Sequence, residues 1–138
     1  MGLKEKILTV MQNQPTGILA TIRDNKPHSC FMIFFHEDLT LYAATDKQSK
    51  KLEDIKQNPS VHVLIGREKK EWDKEFIEIE GNATVEDNAE MKQRFWNDDL
   101  RRWLNGPADP NYVLLKIMPS RIYYVNKTGA VNPEVLSL

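Results

Sequence analysis

Seven short apolar runs, each bounded by turn-forming residues, leave this chain little choice of architecture. Ile18 to Ile22 alternates as a strand, Asp24 and Asn25 supply a turn, and His28 to Phe35 returns with enough apolar content for a largely buried strand. Leu39 to Ala44 follows, then Val61 to Ile65, then Phe76, Ile77 and Ile79 ahead of Gly81 and Val85, then Tyr112 to Ile117 and Arg121 to Val125. Helical periodicity is confined to three places. Leu3, Ile7, Val10 and Met11 form a cap helix broken by Asn13, Pro15 and Gly17; a second segment opens at Ser49 and ends at Pro59. Asn88 to Trp103 is the longest helix expected, closed by Gly106, Pro107 and Pro110. Six or seven antiparallel strands with only short helices predict a mainly β, compact barrel and exclude a doubly wound parallel sheet.

A length of 138 residues suits one domain spanning 1–138, from the amino-terminal cap helix to a carboxyl-terminal tail that is mobile or held at an interface. Nineteen Lys and Arg oppose 20 Asp and Glu, so no nucleic-acid partner is expected from the charge balance. Lys4, Glu5 and Lys6 stand where a secretory signal would turn apolar, and no later run is long enough to cross a bilayer. The single cysteine, Cys30, allows no internal disulfide and fits a reducing compartment, so a cytoplasmic protein without membrane attachment is the expectation.

Familiar chemical signatures are absent: there is no GxGxxG, P-loop, HExxH or CxxC. His28, His36 and His62 are widely separated, which disfavours a three-histidine metal centre. Cys30 beside His28 at strand spacing reads as packing, and Glu78 with Glu80 as solvated rim groups. Asp109, Pro110 and Asn111 form a turn signal, and Arg67 to Lys74, which holds Trp72, reads as an exposed connection. Trp96 and Trp103, seven apart on the expected helix, would share one face and cover either an aromatic ring or a dimer contact.

The chemistry concentrates in YAATDKQSKKLEDIKQNP, Tyr42 to Pro59, where a strand end meets a Ser-Lys-Lys cluster at a helix start. Ser49 can cap, Lys50 and Lys51 are cationic, and a first helical turn offers orphan backbone donors, a combination suited to a phosphate. Two lysines oppose the helix dipole, so a nearby anion would repair the arrangement. The alternative is a solvated helix in which Asp54, four beyond Lys50, pairs with it.

GILATIRDNKPHSCFMIFF, LTLYAATDKQSKKLEDIKQNPSVHVLI and EIEGNATV, in this order, resemble the pyridoxamine 5′-phosphate oxidase-like split barrels. The later WNDDLRRWLNGPADPNYVLLKIMPSRIYYV resembles the general stress protein 26 branch more narrowly. The resemblance implies an FMN-binding split β-barrel and a homodimer with its cofactor at the subunit interface. It carries His28, Ser29, Cys30, Phe31, Met32 and Ile33 to the strand beside the flavin ring, Ala44 and Thr45 to the next strand end, and Ser49, Lys50 and Lys51 to the phosphate cluster. Trp103 is the aromatic candidate to cover the ring. Lys50 stands where true oxidases commonly carry arginine, replacing a bidentate fork with a point charge. The basic residue expected in HSCFMIFF and the W-x-x-R-type carboxyl segment are both missing, so oxidation of a vitamin B6 phosphate is not expected. The implied function is a flavin-dependent oxidoreductase of unknown substrate, with a reduced nicotinamide as a fitting donor. A non-enzymatic flavin sensor or a split barrel preferring haem or a deazaflavin are the alternatives.

Overall fold

The computed structural model describes residues 1–66, 75–126 and 133–138. Trp72, the 67–74 connection and residues 127–132 of the tail lie outside the described residues. The order is α1 (Leu3–Asn13), β1 (Thr16–Arg23), β2 (Lys26–Glu37), β3 (Thr40–Asp46), α2 (Lys50–Gln57), β4 (Ser60–Ile65), β5 (Phe76–Glu86), α3 (Ala89–Arg94), a 3₁₀ turn (Asp98–Arg102), β6 (Tyr112–Val125) and β7 (Glu134–Ser137). The strands run β3-β2-β1-β4-β5-β6-β7, and pairing of β3 with β6 closes six of them into an antiparallel split barrel with β7 beside β6. Closure removes the open edges that an antiparallel sheet of this size would otherwise present.

Alternation along the strands builds the core. In β4 the residues Val61, Val63 and Ile65 point inward, and in β5 Ile77, Ile79 and Ala83 do the same. With Leu19, Leu41, Leu115, Ile117 and Ile122 they form one cluster, joined by Ile7, Val10 and Met11 of α1. Each large side chain buried here contributes about 1.5–3 kcal/mol relative to exposure. The β1–β2 hairpin turns on Asp24 and Asn25, both at positive φ (51° and 65°), the backbone that matches strand twist in a two-residue turn.

Four expectations need correction. The strand read as ending at Ile117 and restarting at Arg121 is one strand, because Pro119 sits opposite Gly81 beside a register shift at Glu80/Gly81 that relieves the ladder of the missing N–H. Gly81 is required there: a Cβ would lie 2.5 Å from the Met118 carbonyl oxygen. The Asn88–Trp103 helix is broken, because Asn97 accepts from the Asp99 N–H and caps anew, while Phe95 and Trp96 turn inward to meet Tyr42 and Tyr112. The described end of the tail is a strand, β7. Finally, β2 is not largely buried; of its twelve residues only Phe34 is fully so, with Phe35 partly covered by Phe95 and Phe31 left exposed.

Candidate functional site

A cavity of about 400 Å³, within the range of small-molecule and cofactor sites, opens between β2, the end of β3, the start of α2 and the 3₁₀ turn. One wall is the β2 segment Phe31, Met32 and Ile33, with Thr16 of β1 beside it. Ala44 and Thr45 form the floor from β3, and Leu100, Trp103 and Leu104 form the opposite wall. Ala44 and Leu104 also belong to a second hydrophobic cluster built on Tyr42, Tyr112 and Leu114, so the floor and far wall are braced from behind. Tyr112 in that cluster donates its hydroxyl to the Lys92 carbonyl (2.8 Å), and burial pushes its pKa up to about 12.

The remaining end of the cavity is polar. Lys51 Nζ donates to Thr45 Oγ1 at 3.2 Å, and Thr45 Oγ1 lies 3.2 Å from Ser49 Oγ. Ser49 occupies the N-cap of α2 in extended geometry, yet its side chain makes no capping bond. Its oxygen is turned to Thr45, leaving the first-turn backbone donors of α2 without the acceptor that such a serine ordinarily supplies. Asp46 also lines this end, where its carboxylate accepts the Gln48 N–H (2.8 Å) and its carbonyl accepts the Ser49 N–H (3.0 Å), fixing the strand-to-helix corner. Among the described residues Lys51 is the one cationic side chain on the cavity wall.

The structure therefore brings together Phe31, Met32, Ile33, Ala44, Thr45, Ser49, Lys51 and Trp103 from the residues singled out by sequence. It separates the other four. His28 and Ser29 are exposed on β2 and Cys30 packs toward the core, none of them on the cavity wall. Lys50, one residue and about 100° from Lys51 around the helix, faces a different hollow beside Arg23, Asp24 and Glu53. The expected pairing of Lys50 with Asp54 does not form. Asp54 is buried, and Arg23 grips it with Nε to Oδ1 at 3.0 Å and Nη2 to Oδ2 at 2.9 Å, while the Thr21 hydroxyl donates at 3.4 Å. The Arg23 guanidinium holds the Asp54 carboxyl below the usual aspartate value.

Sequence reasoning missed Thr16, Asp46, Leu100 and Leu104 as cavity residues. Asp46 was within reach, as the residue after Thr45 in a strand-to-helix corner. Leu100 was within reach too, since three residues before Trp103 it shares that residue's face of the expected helix, whereas Leu104 lies beyond the expected helix end at Trp103. His36 Nδ1 lies 3.0 Å from the Asp38 carbonyl oxygen, which accepts from it, three residues along β2 from the cavity-lining Ile33. No group of three His, Cys, Asp or Glu side chains able to hold a metal ion occurs among the described residues. No helix among them is long and apolar enough to cross a membrane.

The family model described as pyridoxamine 5′-phosphate oxidase matches residues 3–126. General stress protein 26 of Bacillus subtilis (strain 168) is 40% identical over 136 residues, 99% of this chain and 96% of that protein. The crystal structure of general stress protein 26 from Bacillus anthracis strain Sterne superimposes with a TM-score of 0.92 at 55% identity, covering 100% of both chains. A candidate pyridoxamine 5′-phosphate oxidase from Listeria innocua superimposes with a TM-score of 0.81 at 34% identity, over 91% of this chain and 100% of that one.

Proposed function

Because the chain belongs to the pyridoxamine 5′-phosphate oxidase family, in its general stress protein 26 branch, we propose that the cavity binds FMN and that the protein works as a homodimeric flavin-dependent oxidoreductase. The observation that carries this reading is the pairing of chemistries in one cavity: a Thr45, Ser49 and Lys51 corner at one end and an apolar slot between Phe31–Ile33 and Trp103 at the other. A phosphate fits the first. It would accept from Lys51, from the Ser49 hydroxyl and from the first-turn N–H groups of α2, with the helix dipole favouring the anion. A planar apolar ring fits the second, with Trp103, 65% exposed, as a movable cover.

When bound, flavin supplies two-electron chemistry that the side chains here lack. The protein's part is to hold the phosphate at Lys51, orient the ring along β2 and exclude water with Leu100, Trp103 and Leu104. Phe31 is 79% exposed at the same mouth, and a second copy of the chain seated over β2 would cover it and close the site from the open side. With Lys51 as the single cation on the described wall, a second phosphate has no clamp, which argues against a vitamin B6 phosphate as substrate. Reduced nicotinamide remains the donor to try first. The test is a spectral titration of ligand-stripped protein with FMN, followed by flavin absorbance and sedimentation. Saturation at one FMN per chain on a dimer supports the proposal; absence of saturable binding up to about 100 μM overturns it.

A further inference from the structure

We infer that Arg23 and Asp54 are positioning residues for the anion-binding corner: their partly buried ion pair sets the rotation of α2 and with it the aim of Ser49 and Lys51 into the cavity. The inference rests on the proposed flavin reading for its ligand and on the geometry of α2 for its mechanism.

Eight residues make α2 too short to hold its conformation alone, so its pose comes from what it packs against. Leu52 and Ile55 press its apolar stripe onto the core, an attachment that is strong but non-directional. Asp54, between them, is 5% exposed and supplies the direction. Thr21 and Arg23, two residues apart on β1 and so on one face of that strand, converge on its carboxylate from the barrel side. The guanidinium contacts both carboxylate oxygens, an arrangement that tolerates little rotation. Beyond Lys51 at the cavity, Asp54 is the residue of α2 whose side chain is hydrogen-bonded to another element among the described residues.

Lys51 lies three residues before Asp54, about 4.5 Å along the axis. Side-chain tips lie about 5–6 Å from the axis, so a 30° turn of the helix moves the lysine ammonium by about 3 Å, enough to take it out of hydrogen-bond reach of a phosphate. The pair also leaves the Asp54 carboxylate hydrogen-bonded to Arg23 and Thr21, so it does not compete for Lys51.

The test compares wild type with Asp54→Asn, which keeps side-chain volume, and with Arg23→Lys, which keeps charge but loses the fork. Affinities for FMN and for riboflavin, which lacks the phosphate, are measured alongside amide hydrogen exchange in the ligand-free proteins. The expected result is a loss of about tenfold in FMN affinity with riboflavin affinity within twofold, and faster exchange across 50–57 with β1 unchanged. Pure electrostatics predicts the opposite sign for Asp54→Asn, since removing a negative charge from the helix that carries Lys51 would tighten FMN. Equal loss for both flavins, tighter FMN binding, or α2 exchange that stays at the wild-type rate would each overturn the inference. A wild type that binds neither flavin would sink the flavin proposal instead, while the exchange data would still decide whether the pair fixes α2.

Discussion

Two sets of aromatic rings stand on either side of Leu104, and they are treated in opposite ways. Behind it, Phe95 stacks on Tyr42 (centroids 4.7 Å apart) and Phe35 (5.7 Å), and Trp96 meets Tyr112 edge-on at 5.6 Å with its indole N–H donated to Asp98. In front, Phe31 and Trp103 line the cavity while 79% and 65% exposed. Seven residues separate Trp96 from Trp103, yet one ring is satisfied by its own chain and the other is left for something else to cover. An exposed aromatic pair at the mouth of a cavity with a phosphate-like corner is what a planar phosphorylated ligand and a second subunit would complete.

The contrast can be broken most severely in stability. Tyr112→Ala removes the fully buried ring of the rear set and should cost about 3–5 kcal/mol in urea unfolding, whereas Trp103→Ala should stay within about 0.5 kcal/mol in the ligand-free protein. Similar losses for the two would show that the front set is packed after all. In binding the order should reverse. Lys51→Ala should weaken FMN by about thirtyfold, close to 2 kcal/mol, measured by flavin absorbance titration, and Trp103→Ala by about fivefold. Tyr112→Phe, which keeps the ring behind the floor and loses only its bond to Lys92, should leave FMN affinity within about twofold.

The smallest effect expected is a pH dependence. Arg23 lowers the pKa of Asp54 in the folded state below the ordinary 3.8, so the pair contributes stability that is present above 3.8 and is lost as the pH falls through the lower folded value. Thermal unfolding should therefore separate wild type from Asp54→Asn at pH 7 and bring them together only once the pH has fallen below the lowered folded-state value. A constant gap down to the acid limit would assign the pair's effect to packing instead of charge.

Much of this was legible from residue order, and the parts that were not share a cause. Alternation in Val61–Ile65 and Ile77–Ile79 and the Asp24-Asn25 turn predicted strands and a hairpin that the structure contains. These are local patterns read against a single buried face. The failures needed tertiary information. Pro119 looked like a strand end because the bulge at Ser120 that accommodates it shows only in the pairing of β6 with β5, where Glu80 faces Arg121 and Gly81 faces Pro119. Asn88–Trp103 looked like one helix because the pull of Tyr42 and Tyr112 on Phe95 and Trp96 is invisible to periodicity. His28–Phe35 looked buried because composition cannot say whether an apolar face is covered by its own chain. At the site, Lys50 and Lys51 were equivalent as letters; adjacent on a helix they point about 100° apart, and only the fold shows that Lys51 is the one turned to the cavity.

A crystal structure of the protein grown with FMN tests the central claim most directly. The account predicts the phosphate within hydrogen-bond distance of Lys51 Nζ and Ser49 Oγ, and the ring lying between Phe31–Ile33 and Trp103. A flavin with its phosphate in the Lys50 and Arg23 hollow, or bound away from Trp103, would contradict it.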